Sequence, residues 1–514
     1  MQRLVLAARF LPVFRRSAQL TLLVLFLVFT YVGFAYATVK YRALSYNDVD
    51  FTCYLEFFSK LLDPTLSPRY SLNPNGHNYM GFSGIDGSGS VHISTHFEPL
   101  KYLDALVYRI SGTYLAMFLL YSALFFMPLI YLALIMAKLD LQSAFFATLV
   151  YMIYAFLPQN MESASYDLRP YSLLAPLVLV LLTAIILSRP FPEILVLLNC
   201  MFLLREESLI LVPVLVLFLV SHERTYGRRV QPSYWVWFAV SWLFWAGITV
   251  GYYIWTGLSF EGPGTELSRV YRFATGIGWV LIPVLFVFLL SLYAFRGFLI
   301  RRLSWVSLGL LAAPWILEFA NRKLLRGTLL QEAPRVLLSE PRWHILWIIA
   351  LGALLYSWRR VATRDQQGFL ASVAAIGLLL VVYLCFFGQS TPWQRYRSYR
   401  AAADDAQVVF ALRDRTLPAT TVILTDYKTH KAFFDYERVY SYERLPWYLV
   451  QGKEEGRYPQ NEEKLQQLLK DEVDWVVATR GEARQIKKIA TKVQVTMDLD
   501  PSSNGAFSIY HINR

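Results

Sequence analysis

The sequence predicts an α-helical protein that crosses a membrane many times and carries a small α/β domain at its C-terminal end. Three observations predict this fold class. Hydrophobic residues make up 56% of the 514 residues and charged residues only 17%, whereas soluble proteins are about 25% charged. Long apolar runs fill 1–388, and a charged tail with short alternating patterns fills 389–514. The composition excludes an ordinary soluble enzyme, and these two parts are the predicted domains.

The apolar runs are the first elements to justify. A helix needs about 20 apolar residues to cross a bilayer, and the chain holds about eleven runs near this length. They are 18–39, 113–137, 142–158, 171–188, 191–204, 207–221, 233–256, 273–295, 304–320, 343–358 and 369–388. Two of the runs are short and adjacent, so the predicted number lies between nine and thirteen. No small-residue cleavage site follows the first run, which is therefore predicted to be a retained anchor.

Basic residues predict the orientation, because loops rich in Lys and Arg stay in the cytoplasm. Arg3, Arg9, Arg15 and Arg16 precede the first run, and every second connection after it is short and basic. The N-terminus is therefore predicted to be cytoplasmic in a multi-pass protein of the plasma (inner) membrane. The large loop 40–112 and the tail are predicted to be extracytoplasmic. Nearly all of the formal net charge of +12 lies in the predicted cytoplasmic segments. It is an orientation signal, and no nucleic-acid partner is predicted.

The tail combines helical and strand patterns. Residues 396–417 space Ala, Val and Leu three and four apart, which predicts a helix. The apolar runs in 420–425 and 473–478 predict buried strands, with a helix over 462–470 between them. Segments 493–497 and 507–512 flank a Ser-Ser-Asn-Gly sequence and predict a terminal hairpin, with a small α/β domain as the result.

Two carboxylates lie a few residues after the first run. Asp48 and Asp50 open the large loop just above the predicted bilayer surface. Carboxylates in this position can act as a general base or hold a divalent cation, Mg²⁺ or Mn²⁺, through oxygen ligands. The alternative is that both are solvated loop acids, or that Asp48 caps a helix that begins at Val49.

Histidines concentrate in the same loop. His92 and His96 are four residues apart, and Glu98 follows them. Pro99 and the β-branched residues between the histidines disfavour a regular helix, so phosphate binding or proton transfer is favoured over a zinc site. The alternative is that these histidines are ordinary loop residues.

Ionisable residues also interrupt the apolar sequence further along the chain. Asp167 and Arg169 precede the fourth run, and Arg205 and Glu206 separate the fifth from the sixth. Charges at membrane depth are costly, so they favour a function. Arg169 and Arg205 are predicted to present guanidinium groups to a lipid-linked phosphate. The alternative is that Arg205 pairs with Glu206 or Asp167 only to lower the cost of insertion.

A basic stretch precedes the tenth run. It ends in Arg342 and His344, on the side of the membrane where basic loops are rare. This position predicts an anionic ligand, and the alternative is a solvated amphipathic surface helix.

Four of these elements together resemble a known family. They are the acidic opening of the first loop, a His-Phe-x-Pro element at His96–Pro99, an Asp-x-His-Pro-like element at Asp167–Pro170, and the basic-acidic-acidic triplet Arg205–Glu207. With the outer tail, they resemble an uncharacterised family of multi-spanning prokaryotic membrane proteins related to the GT-C glycosyltransferases. Arg169 stands where the family pattern has His, which leaves a phosphate contact at this position but removes a proton-transfer role.

The resemblance implies a function. GT-C enzymes transfer a hexosyl or pentosyl group, with inversion, from a polyprenyl-phosphate sugar at the outer face of the membrane. By this resemblance Asp50 is the base or orients the acceptor with a divalent cation, and Asp48 is the second candidate for both roles. Arg205, Arg169 and the outer histidines stabilise the charge on the departing phosphate. The acceptor is a glycan, lipid or protein. Two alternatives stay open: a lipid or polysaccharide transporter or flippase, and a non-catalytic membrane scaffold.

Overall fold

A computed structural model describes the fold. The described residues are 2–46, 51, 54–55, 58, 97–157, 159–165, 168–206, 208–228, 230–256, 341–360, 364–387, 391–415, 417–418, 420–434, 436, 439–441 and 459–513. Most of them are helical, and one small sheet lies near the C-terminal end. The prediction of a helical membrane-like protein with a small C-terminal sheet is confirmed.

The N-terminal part of the described chain is made of helices. They are α1 Gln2–Arg42, α2 Leu100–Ser111, α3 Tyr114–Ile135, α4 Leu141–Ala155, α5 Gln159–Ala164, α6 Leu174–Ile186, α7 Phe191–Phe202, α8 Ser208–Thr225, α9 Pro232–Thr256, α10 Pro341–Arg360 and α11 Arg364–Phe387. We call this part the bundle. Backbone N–H and C=O groups find partners inside a helix, which is why apolar runs of this length fold as helices.

Four helices in the described part of the chain are long and apolar enough to cross a membrane. Their spanning segments are Pro12–Arg42, Tyr114–Lys138, Pro232–Tyr252 and Gln366–Tyr383. Shorter apolar helices cover Leu141–Ala155, Pro170–Ile186 and Phe191–Phe202. The predicted runs 273–295 and 304–320 lie outside the described residues. A count of eleven spans therefore stays a prediction.

Local sequence explains where several helices begin and end. The side chain of Thr113 accepts from the amide of Leu115 and starts α3, and Asp140 accepts from the amide of Ser143 and starts α4. Gly112 ends α2 with a φ of +66°, a conformation that glycine adopts at no steric cost. Close packing also depends on glycine: a Cβ on Gly33 of α1 would lie 3.0 Å from the Ser122 hydroxyl of α3.

The tail holds four helices and five strands among its described residues. The helices are α12 Pro392–Arg413, α13 Tyr427–His430, α14 Pro459–Asp471 and α15 Arg480–Lys492. The strands are β1 Ile423–Thr425, β2 Val439–Ser441, β3 Trp475–Thr479, β4 Thr496–Leu499 and β5 Phe507–Asn513, in the order β2-β1-β3-β5-β4. Strand β1 pairs in parallel with β2 and β3, and β5 pairs antiparallel with β3 and β4.

These elements match the sequence-based expectations for the tail closely. The predicted helices at 396–417 and 462–470 correspond to α12 and α14, and the predicted strands correspond to β1 and β3. The terminal hairpin exists as β4 and β5. Helices α13 and α15 and strand β2 were not predicted. The spacing of the buried residues of α15, Ala483, Ile486 and Ala490, is the helical pattern that reveals it.

The tail packs on one end of the bundle. Helix α12 lies alongside the last turns of α1, where Tyr41 meets Phe410 with ring centroids 5.5 Å apart. Phe434 of the tail contacts Tyr108 of α2 and Tyr114 of α3. The tail therefore covers the end of the bundle where α1 and α2 end and α3 begins.

Candidate functional site

Two chain segments bring charged residues together at the start of α2. The amide of Leu100 donates to the carbonyl of Leu203, with 2.9 Å between N and O. This bond holds the start of α2 against the turn that separates α7 from α8. Glu98 and Lys101 come from the first segment, and Arg205 and Glu206 from the second.

The charged side chains of this site are buried. We define the Lys101 cluster as Glu98, Lys101, Asp104, Arg205 and Glu206. Glu98 and Asp104 are respectively 1% and 0% exposed, and Lys101 is 1% exposed. The Arg205 Nε lies 4.0 Å from the Glu206 Oε1. Charges are rarely buried to this degree without a function or strong pairing.

Tyrosines surround the Lys101 cluster. The Tyr54 hydroxyl donates to Glu98, and the Tyr121 hydroxyl donates to Asp104 Oδ2 over 2.7 Å. The other Asp104 oxygen has no hydrogen-bond partner among the described residues. The Arg205 guanidinium lies over the Tyr171 ring, 5.4 Å from its centroid.

Burial changes the acidity of two groups in the Lys101 cluster. Burial lowers the pKa of Lys101 to about 8, although the nearby Glu98 and Glu206 favour its charged form. Burial raises the pKa of Asp104 to about 7, against the hydrogen bond from Tyr121 and with help from Glu98. Both groups therefore titrate near neutral pH, which suits proton transfer and the binding of an anion.

Helix α2 buries two of its charged residues and exposes three of its large apolar residues. Lys101 and Asp104 are buried, whereas Leu103, Leu106 and Ile110 are exposed. The exposed residues are spaced three and four apart and form one face of the helix. Burying charges while exposing leucines is unfavourable in water, so this face fits contact with lipid.

The structure brings together three of the predicted site residues. Glu98, Arg205 and Glu206 meet in the Lys101 cluster. Arg169 lies two residues before Tyr171, on which Arg205 stacks. The predicted pair of Arg205 and Glu206 therefore exists. A pair that only lowered the cost of membrane insertion would not need the further charges of Glu98 and Lys101 beside it.

His344 lies in a different place. It is buried in α10 beside the rings of Phe125 and Tyr154, with centroids 5.4 and 6.4 Å away. Its ring nitrogens have no hydrogen-bond partner among the described residues. Arg342 lies in the first turn of the same helix. Phosphate binding by these two residues stays a prediction.

Five predicted residues lie outside the described residues: Asp48, Asp50, His92, His96 and Asp167. The described part of the chain contains no group of three metal-ligating side chains. The predicted Mg²⁺ or Mn²⁺ at Asp48 and Asp50 therefore stays a prediction.

Sequence reasoning missed Lys101 and Asp104. The signal was the spacing of Lys101 and Asp104, which are three residues apart with apolar residues between them. This spacing predicts a helix with one charged face. Which face is buried depends on the surrounding helices, so the sequence pattern by itself would indicate the opposite orientation.

A second buried charge also escaped the sequence analysis. Glu162 of α5 accepts from Tyr36 and Lys40 of α1 and from Arg395 of α12, and the Tyr399 hydroxyl lies 3.5 Å away. The Lys40 and Arg395 nitrogens lie 3.2 and 2.9 Å from its oxygens. We call these five residues the Glu162 cluster. It joins the bundle to the first turns of the tail.

The Glu162 carboxylate stays ionised despite its burial. Burial alone would raise its pKa, but the charges of Lys40 and Arg395 and the hydroxyl of Tyr36 hold the pKa at about 2. The signal in the sequence was Lys40. It lies at the end of α1 that is predicted to be extracytoplasmic, where Lys and Arg are rare.

The tail also shapes the entry to the first loop. The Lys431 ammonium donates to the carbonyls of Leu44 and Tyr46, at 3.2 and 2.6 Å. Leu44 has a φ of +52°, which costs about 1–2 kcal/mol for a residue with a Cβ. Its side chain is buried in the core of the tail, beside Val409 and Phe433. Tyr46 is followed in the chain by the segment that carries Asp48 and Asp50.

Comparison with protein-family models and with curated proteins finds no match to this chain.

Proposed function

We propose that this chain is a GT-C-type membrane glycosyltransferase that moves a hexosyl or pentosyl group from a polyprenyl-phosphate donor to an acceptor, with inversion. The observation that carries the proposal is the Lys101 cluster. It places two cations among carboxylates at the end of apolar helices, where a phosphate on a lipid chain would arrive. The resemblance of the loop motifs to the GT-C relatives adds to this support.

The proposal includes the topology. About eleven spans put the N-terminus in the cytoplasm and the tail on the extracytoplasmic face of the plasma membrane. The contacts of Phe434 with Tyr108 and Tyr114 support a common side for the tail and for α2, since α2 carries part of the Lys101 cluster. A reaction at this face would take place beneath the tail.

The chemistry assigned to each residue follows from its charge. Asp50 takes the proton of an acceptor hydroxyl, whose oxygen bonds to the anomeric carbon of the sugar. The bond from that carbon to the phosphate oxygen breaks, and the polyprenyl phosphate leaves with the electron pair. Arg205 and Lys101 stabilise the negative charge on this phosphate. The apolar helices hold the polyprenyl chain.

Replacement of Asp50 tests the proposal most directly. In membranes supplied with a radiolabelled polyprenyl-phosphate hexose or pentose, Asp50→Asn is expected to lower transfer about 10²–10⁴-fold, the usual contribution of a general base. Formation of labelled product and release of polyprenyl phosphate are measured together. Asp404→Asn, at an exposed position of α12, is the matched control and should leave transfer unchanged. Transfer by Asp50→Asn at the wild-type rate contradicts the proposal.

A further inference from the structure

The first turns of α12 combine an exposed tryptophan with exposed arginines. Trp393 is 53% exposed, and Arg397 and Arg400 are also exposed. Spacings of four and three residues place all three on one face of the helix. We call Trp393, Arg397 and Arg400 the basic face of α12.

The basic face is preorganised. The Arg397 guanidinium lies 5.0 Å from the centroid of the Trp393 ring, and this ring stacks on Tyr396 at 5.8 Å. Neither Arg397 nor Arg400 has an ion-pair partner among the described residues. The opposite face of the helix is already occupied, because Arg395 and Tyr399 bind Glu162. The basic face is therefore free to meet something outside the protein.

The height of the basic face relative to the bundle is set by α1. Tyr396 lies beside Tyr36, with centroids 6.5 Å apart, and Tyr36 lies in the last part of the spanning segment Pro12–Arg42. Trp393 therefore stands at the end of the apolar segment. With a rise of about 1.5 Å per residue, Arg397 and Arg400 lie roughly 6 and 10 Å further along α12. Helix α12 is inclined to α1, because Tyr396 meets Tyr36 while Phe410 meets Tyr41 only five residues further along α1. The two arginines therefore rise above the end of the apolar segment by less than these distances. The headgroup layer of a bilayer is about 5–7 Å thick on each side.

The charged residues of α12 change from basic to acidic beyond the basic face. Arg395, Arg397 and Arg400 occupy the first turns, and Asp404 and Asp405 follow. The start of a helix also carries partial positive charge from its dipole. The positive end of α12 therefore lies beside the end of the spanning segment, at headgroup height, and the acidic residues follow further along the helix.

We propose that the basic face of α12 binds the phosphate of an anionic phospholipid in the membrane leaflet on the side of the tail. Trp393 anchors the helix at the edge of the hydrocarbon, as tryptophan does at membrane interfaces. Arg397 and Arg400 hold the lipid phosphate through charge-assisted hydrogen bonds. This lipid site fixes the height of the tail above the membrane, and it does not depend on the proposed transfer reaction.

The experiment measures lipid affinity of the purified full chain. Short-chain phosphatidylglycerol is titrated against the protein in neutral detergent, with short-chain phosphatidylcholine as the uncharged comparison. One basic residue at a membrane surface contributes about fivefold in affinity. Arg397→Gln with Arg400→Gln is therefore expected to lower the affinity for phosphatidylglycerol on the order of twentyfold, with no change for phosphatidylcholine. High salt should weaken the wild-type binding in the same way.

The matched control removes the same charge elsewhere on the tail. Arg484→Gln with Lys488→Gln changes two exposed residues, four apart, on α15, and should keep wild-type affinity. If the double variant of the basic face does not fold, Arg400→Gln is tested alone, because Arg400 does not stack on Trp393 and its loss should leave the helix intact. This single variant is expected to bind phosphatidylglycerol about fivefold more weakly. Equal affinity of the wild type for both lipids overturns the proposal. The proposal is also overturned if the double variant binds phosphatidylglycerol like the wild type. It is overturned as well if the wild type forms a dimer that only the double variant fails to form, because the basic face would then be a contact between two copies of the chain.

Discussion

The Glu162 cluster and the Lys101 cluster use buried charge in opposite ways. Glu162 is surrounded by two cations and two tyrosine hydroxyls, and its pKa lies at about 2. In the Lys101 cluster, Asp104 keeps one oxygen without a partner among the described residues, and its pKa rises to about 7. The first arrangement holds one charge state firmly, which suits a joint between the bundle and the tail. The second lies close to its titration point, which suits a site that exchanges protons or receives an anion.

The largest expected effect comes from removal of the Glu162 charge. Glu162→Gln leaves Lys40 and Arg395 buried without a counter-charge, and we expect a loss of about 3–5 kcal/mol in the free energy of unfolding. Thermal unfolding in detergent measures it. Because the pKa of Glu162 is lowered, the wild-type contribution is present above about pH 4.5 and disappears as the pH falls towards 2.

A matched control for Glu162 exists in the same chain. Glu193 pairs with Arg189 at 2.7 Å but remains partly exposed. Glu193→Gln should cost at most about 1 kcal/mol, since solvent screens such pairs. Equal losses from the two variants would show that burial does not set the strength of the Glu162 cluster.

A smaller effect is expected at the second joint between tail and bundle. Lys431→Met removes the donor of the Leu44 and Tyr46 carbonyls, and a buried acceptor left without a partner costs about 1–3 kcal/mol. Hydrogen exchange of the amides of residues 43–46 should become about tenfold faster or more.

This measurement reads the turn directly and does not depend on enzymatic activity. Lys428→Met is the control, because Lys428 is exposed and lies over the Phe507 ring, away from the turn. Unchanged exchange in Lys431→Met would mean that burial of Leu44 alone holds the turn.

The last effect is a slope in the pH dependence of stability, and it comes from the Lys101 cluster. The pKa of Asp104 rises from 3.8 to about 7 on folding, so the native state binds the proton more tightly than the unfolded chain. Stability is therefore expected to fall as the pH rises from 3.8 to 7, by at most about 1.4 kcal/mol per pH unit. Asp104→Asn should remove this slope in a series of melting temperatures between pH 4 and 8.

Asp404→Asn provides the comparison for that series, since it removes an exposed carboxylate of the same type. Its slope should match that of the wild type. If Asp104→Asn retains the full slope, another group titrates in this range and the contrast between the two clusters weakens.

Sequence alone determined the elements whose causes are local. An apolar run has to satisfy its backbone groups within itself, so α3, α4 and α6 could be located from composition. The same holds for β1, β3 and the final hairpin, whose residues alternate or form short apolar runs between turn residues. The choice of Arg205 and Glu206 as candidate site residues was also possible from the sequence, because charge in apolar sequence is rare.

Only the tertiary structure decided which distant charges meet. Tyr36, Glu162 and Arg395 belong to three helices far apart in sequence, and no local pattern pairs them. Nor does the sequence of α2 reveal that its charged face points inward, since that depends on the helices around it. Local preferences act over a few residues, whereas burial and ion pairing depend on the assembled helices. The positions of most apolar helices were therefore readable from the sequence, and the partners of the buried charges were not.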